Sequence, residues 1–176
     1  MKVNTYPHEF VRFLIEFHGT RDYFECHEIL EEYWKTHDED PLRDLWHGLI
    51  QVAVGLYHQR MGRRSGSIKM LKSAGRLLSA QQCQQMAIDH TQLIYMIEQR
   101  VVEIESNPSL LFQDFDLPIT DNHLVEHCKM VCAEQNIEWG IASNLLDEAL
   151  IFRHTLRNRE DVIQARQQAL ITKREA

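Results

Sequence analysis

The sequence predicts an all-α protein, a single-domain helical bundle. Three observations carry that expectation. The 176 residues include only 7 Gly and 4 Pro, too few breakers for many short strands joined by turns. Apolar residues recur at helical spacing over long runs. An aspartate stands at or just ahead of the start of several of these runs, where its carboxylate can cap a helix. The apolar content of 44% and charged content of 26% suit a chain that buries one substantial core.

The first helix is expected over residues 7–17, with Phe10, Phe13, Leu14 and Phe17 on one face and Gly19 of His18-Gly19-Thr20 as its stop. Asp22, with Glu25 three residues on, resembles a capping box and opens a second helix to about residue 36. Asp40-Pro41 can open a third helix, to about residue 61, that carries no charge between Asp44 and Arg60. A helix apolar around most of its circumference belongs in the middle of a bundle. Gly48, Gly55 and Gly62 recur every seven residues. The first two can admit a neighbouring backbone, and Gly62 can end the helix. A fourth, amphipathic helix is expected over residues 67–80, with Ile68, Leu71 and Leu78 inward. The polar run 81–90 is ambiguous between loop and helix. Asp89 and Asp121 can cap a fifth helix to residue 106 and a sixth to residue 134. Residues 109–120 read as an ordered connection, and 136–144 as a short strand or a turn. A helical pattern follows from residue 145, bent near 157–159, with an exposed last helix over 160–173. Residues 7–80 are expected to form a core of four helices, and 89–176 a helical C-terminal extension packed on it.

The net charge of −7 is unevenly spread. Residues 1–44 hold eleven acidic and five basic side chains, a balance of −6; residues 45–88 hold six basic ones and no acid. The basic segment 60–76 is a candidate face for an anionic ligand, or else the intramolecular complement of the acidic helices. Overall acidity argues against nucleic acid as a partner. No run approaches the roughly 18 apolar residues of a membrane span, and the N-terminus lacks a secretory pattern. Cys26, Cys83, Cys128 and Cys132 form no CxxC pair and read as reduced, packed thiols, which suggests a cytoplasmic protein. A homo-oligomer is compatible with all of this.

One stretch carries chemistry. On a helical wheel, at ~100° per residue, Tyr23, Cys26, Ile29, Leu30, Tyr33 and Trp34 form an apolar arc. His27 falls inside it and Glu31 at its edge, while Glu25, Glu28 and Glu32 turn toward solvent. An imidazole and a carboxylate at i,i+4 share one helix face and can bind one cation. On the third helix Asp44, His47, Gln51 and His58 form a polar stripe that can face them. His27, Glu31 and His58 would then be a two-His, one-carboxylate set for Zn, Fe or Mn, with water completing the shell and His47, Gln51 or Asp44 supporting it. Alternatively His27 and Glu31 close a buried hydrogen-bond network in a non-catalytic interaction module. His27-Glu28-x-x-Glu31 also approximates the zinc-protease motif HExxH, but the wheel turns Glu28 away from His27. In the sixth helix His123 and His127 read as surface residues, and Cys128 and Cys132 as core. No phosphate-loop, dinucleotide-binding or GxSxG pattern is present.

The segment CHEILEEYW, with His27, Glu31 and Trp34 in the pattern HxxxExxW, resembles the domain-of-unknown-function 309 family of bacteria and archaea. The later GLIQVAVGLYHQRMGRRSG, with Gly48, Gln51, His58 and Gly62, also looks like that family's second helix and turn. The resemblance covers roughly residues 15–80. It implies an all-helical fold and a motif suggested to bind metal, with no defining activity. A metal-dependent hydrolase that draws an anionic substrate to residues 60–76 is one function it allows.

Overall fold

The computed structural model describes residues 5–175 and is all-α; among the described residues no strand forms, and Ile88 and Ile119 make a lone antiparallel bridge. Helix α1 (His8–Ile15) runs directly into a π turn (Glu16–Thr20) that ends at Arg21, whose φ of +57° is left-handed. The expected stop at Gly19 is therefore displaced by two residues. The reason is packing: a Cβ on Gly19 would lie 2.7 Å from Ile137 Cγ2 and 3.4 Å from Cys132 Sγ. Glycine is there for close approach, and the chain reverses at an arginine instead.

Helix α2 (Tyr23–Thr36) begins where its cap predicts, with the Asp22 carboxylate accepting the Glu25 N–H at 3.0 Å. Helix α3 (Arg43–Arg60) starts later than Asp40-Pro41 suggests. The Asp40 carboxylate is taken up by the lead-in turn, accepting from Leu42 N at 2.8 Å and from Trp46 Nε1 at 2.9 Å. Helix α4 (Arg64–Leu77) starts three residues before the expected 67, and the ambiguous polar run contains a short α5 (Ala80–Gln85). Asp89 and Asp121 cap α6 (His90–Ser106) and α7 (Asn122–Glu134) as anticipated, accepting from Gln92 N and Leu124 N. Residues 109–120 form the ordered, non-helical connection, with Phe115 and Leu117 buried.

Helix α3 is central, packing on α2 and on α4 and burying Leu45, Trp46, Leu49, Val52, Ala53 and Leu56. Each fully buried apolar side chain of this size stabilises by about 1.5–3 kcal/mol. The glycine seam admits close approach, chiefly by leucine side chains of α4 and the residue after it, where a neighbouring backbone was expected. A Cβ on Gly48 would lie 2.7 Å from Leu78 Cδ2, one on Gly55 2.8 Å from Leu71 Cγ, and Gly62 takes φ +80° in the turn. Helix α6 packs on α4 and α7 on α1. Leu93, Ile97, Val101 and Ile104 of α6 and Leu124, Cys128 and Cys132 of α7 join the buried cluster begun by α1–α4, so the core extends beyond residue 80. All four cysteines are buried, free thiols.

The chain forms two compact units, dividing after Ser143. The second contains α8 (Glu148–Ile151), capped by Asp147, and α9 (Arg153–Glu175); the interruption falls at Phe152 rather than near 157–159. Among the described residues no helix is long and apolar enough to cross a membrane.

Candidate metal centre

Helix α2 sets His27, Glu28 and Glu31 along its length, half-buried, with side-chain exposures of 26%, 36% and 32%. Capping by Asp22 fixes where the helix starts and hence the rotation at which these residues emerge. His27 Nε2 lies 3.1 Å from Glu31 Oε2, the i,i+4 contact expected of one helix face. His27 Nδ1 lies 3.3 Å from Glu28 Oε1, so both ring nitrogens meet a carboxylate. Glu31 Oε1 also accepts Lys35 Nζ at 3.0 Å. The Phe24 ring stands 6.0 Å from the imidazole. Among the described residues, His27, Glu28 and Glu31 are the group whose possible ligand atoms all lie within 4.8 Å of one another.

Two expectations change here. Glu28, assigned to solvent by its wheel angle, reaches back to the adjacent ring. A wheel fixes the direction of a Cα–Cβ bond, whereas a glutamate has enough rotatable bonds to bring its carboxylate round. His58, expected to complete the set, does not join the group. It lies three residues beyond Gly55, close to the seam that faces α4, and its ring sits where a Cβ on Gly66 would be 3.3 Å away. His47 turns to α2, its ring 5.0 Å from that of Trp34, and its Nε2 meets Gln51 Nε2 at 2.9 Å. Asp44 is exposed. The polar stripe of α3 is thus divided among neighbours.

A second polar assembly escaped sequence reasoning. His18 is buried in the π turn; its Nδ1–H donates to the Leu14 carbonyl at 3.0 Å and its Nε2 accepts the Leu117 N–H at 3.0 Å. Burial lowers its pKa from 6.5 to about 4. Arg21 Nη2 pairs with Asp116 at 2.8 Å, and its Nε donates to the Ile141 carbonyl at 2.8 Å. Asp114 accepts the Tyr23 hydroxyl at 2.6 Å and both the N–H and the hydroxyl of Ser143. Burial alone would raise this carboxyl, but those bonds hold it below the usual carboxylate value. Arg60 closes the assembly, donating to the Arg21 carbonyl and to Ser143. The partners lie up to 120 residues apart. The only sequence signal for them is charged residues in otherwise apolar surroundings, as in Phe112-Gln113-Asp114-Phe115.

No solved structure matches this chain. It is similar to a Bacillus subtilis (strain 168) protein described as "Uncharacterized protein YpuF", 38% identical over 167 residues, which span 94% of this chain and 95% of that one. The family model described as "Domain of unknown function (DUF309)" matches residues 10–70, a span that holds most of α1, all of α2 and α3 and the first half of α4, His27, Glu28 and Glu31 included. With a helical fold, the matched segment and a relative alike over nearly its whole length, the chain belongs to the DUF309 family.

Proposed function

We propose that this protein binds a divalent metal ion, of the Zn, Fe or Mn class, through His27 Nε2 and Glu31, with Glu28 orienting the imidazole. One observation carries this: each ring nitrogen of His27 faces a different carboxylate. A carboxylate that accepts Nδ1–H fixes the tautomer whose Nε2 lone pair is available, and such a partner also makes the ligand more basic. Two donors each ~2.1 Å from one ion, at roughly a right angle, stand about 3 Å apart. The 3.1 Å between His27 Nε2 and Glu31 Oε2 fits that requirement. An ion held there would polarise a bound water, the chemistry of a metal-dependent hydrolase.

The hydrolytic extension gets little support from the basic segment. Arg60 is buried, Arg64 donates to the Ile104 carbonyl, and Lys72 pairs with Glu105 at 2.7 Å. Arg64 and Lys72 thus have partners on α6 in place of the acidic N-terminal helices, and Arg60 donates to the Arg21 carbonyl and Ser143. Ion binding is accordingly the function proposed, without an anionic substrate on the exposed basic residues Arg64 and Lys72.

A structural role for the same residues is favoured by Lys35. It extends the chain Glu28–His27–Glu31 into a network complete without an ion. Such half-exposed pairs are worth about 0–1 kcal/mol each, so melting temperatures of His27→Ala alone do not separate the two roles. Metal content does. Tag-free protein is expected to retain a divalent ion by elemental analysis, or to gain thermal stability on adding Zn²⁺, Mn²⁺ or Fe²⁺. His27→Ala and Glu31→Gln are expected to abolish the effect. Absence of both bound ion and thermal shift in the unaltered protein would leave only the structural role.

A further inference from the structure

Arg60, the last residue of α3, is 8% exposed. Its guanidinium lies over the Tyr23 ring, 4.6 Å from the centroid, with the Phe112 ring 6.0 Å away. Nη1 is fully used, donating to the Arg21 carbonyl at 2.7 Å and to Ser143 Oγ at 3.0 Å. Nε and Nη2 are also buried and have no hydrogen-bond partner.

Buried donors are almost always satisfied, and a buried cation without a counter-charge is among the most costly features a fold can carry. Among the described residues Arg60 makes no ion pair. The nearby carboxylate, Asp114, is committed to Tyr23 and Ser143. Arg100 adds a third guanidinium, 5.5 Å from the Phe115 ring centroid, with its Nη1 on Gln59 Oε1 at 2.9 Å and its Nε 3.7 Å from the exposed Glu103. The interior around Arg60 thus holds more buried positive than buried negative charge.

The identity of the orphaned atoms matters. Nε–H and one N–H of Nη2 point the same way along the side edge of a guanidinium, the fork that takes two oxygens of a carboxylate or phosphate at once. The backbone around it is unusual too. A π turn and a left-handed arginine bring the Arg21 carbonyl onto Arg60, and such irregularities cluster at functional sites. Phe112 and Ser143, which flank the guanidinium, both lie in non-helical segments.

We propose that the Nε/Nη2 edge of Arg60 is a receptor for one small oxyanion, a carboxylate or phosphate group, bound through two of its oxygens beside the rings of Tyr23 and Phe112. This is a site distinct from His27 and Glu31 and does not depend on metal binding there.

The test uses the full chain at constant ionic strength, with sodium phosphate or sodium formate replacing chloride. One of the two anions is expected to raise the melting temperature saturably, by about 3–6 °C near saturation; which one does so distinguishes phosphate from carboxylate. Arg60→Lys keeps the charge but lacks the fork, and is expected to lose most of that rise. An equal rise in both proteins, or no rise over chloride with either anion, would overturn the proposal. Should Arg60→Lys fail to fold, crystals of the unaltered protein grown with each anion decide the matter. An oxyanion bridging Nε and Nη2 supports the site; ordered water on both atoms rejects it.

Discussion

At the scale of single residues, two histidines behave oppositely. His27 is half-exposed between two carboxylates, whereas His18 is buried and neutral, held by one backbone carbonyl and one backbone N–H. The pH consequence of His18 follows from linkage. Its folded-state pKa of about 4 lies below the ordinary 6.5. Between these values the unfolded chain takes up a proton that the folded chain refuses. Stability from this group is therefore complete above pH 6.5, falls as pH drops toward 4, and changes no further below that. The loss is expected to reach up to about 3 kcal/mol, read from urea unfolding at a series of pH values, and His18→Gln should flatten that part of the profile. A profile identical in both proteins would remove His18 from the acid response. For His27, Glu28→Gln is expected to weaken divalent-metal affinity about 10–100-fold while Glu31→Gln abolishes it, both measured by isothermal titration. Equal, negligible effects would mean that Glu28 merely neighbours the ring. His27 and Glu31 were legible as a pair because i,i+4 spacing is a local property of a helix. Glu28 was not, since its part depends on a side-chain rotamer.

Among the helices, the glycine seam of α3 decides how α3 and α4 meet. Gly55→Ala would place a methyl 2.8 Å from Leu71 Cγ and 3.4 Å from the Leu71 backbone N. Leu71 is fully buried, so it has little room to give. The gain in helix propensity, at most about 1 kcal/mol, is outweighed by overpacking of roughly 1–3 kcal/mol, and the variant should unfold at lower urea. At Gly75 in α4, an added methyl would meet nothing within 4 Å. Gly75→Ala, the same chemical change, is expected to stabilise by about 0.5–1 kcal/mol. If both variants shift the midpoint in the same direction, close packing is not what sets the Gly55 effect. The seven-residue glycine spacing revealed this seam in advance. Its consequence for His58, which stands beside it near Gly66, needed the α3–α4 packing to be seen.

For the whole molecule, the unit ending at Ser143 contains the entire buried cluster from Phe10 to Cys132. A chain ending at Ser143 is expected to unfold cooperatively, with one denaturant transition and near-unchanged helicity per residue. A broad, non-cooperative transition would show that residues 144–175 are needed for the core. The sequence by itself determined the all-α class, the Asp-capped starts of α2, α6 and α7, the central place of α3 and the pairing of His27 with Glu31. Each rests on interactions within a few residues, which spacing and capping chemistry specify. Only the tertiary structure decided that α6 and α7 share the core, that His58 leaves the α2 cluster, and that Gly19 packs while Arg21 turns the chain. It alone brought Arg21, Tyr23, Arg60, Asp114 and Ser143 into one partly buried assembly. Those contacts join residues many turns apart, and no local periodicity encodes which distant side chains the packing of helices will bring face to face.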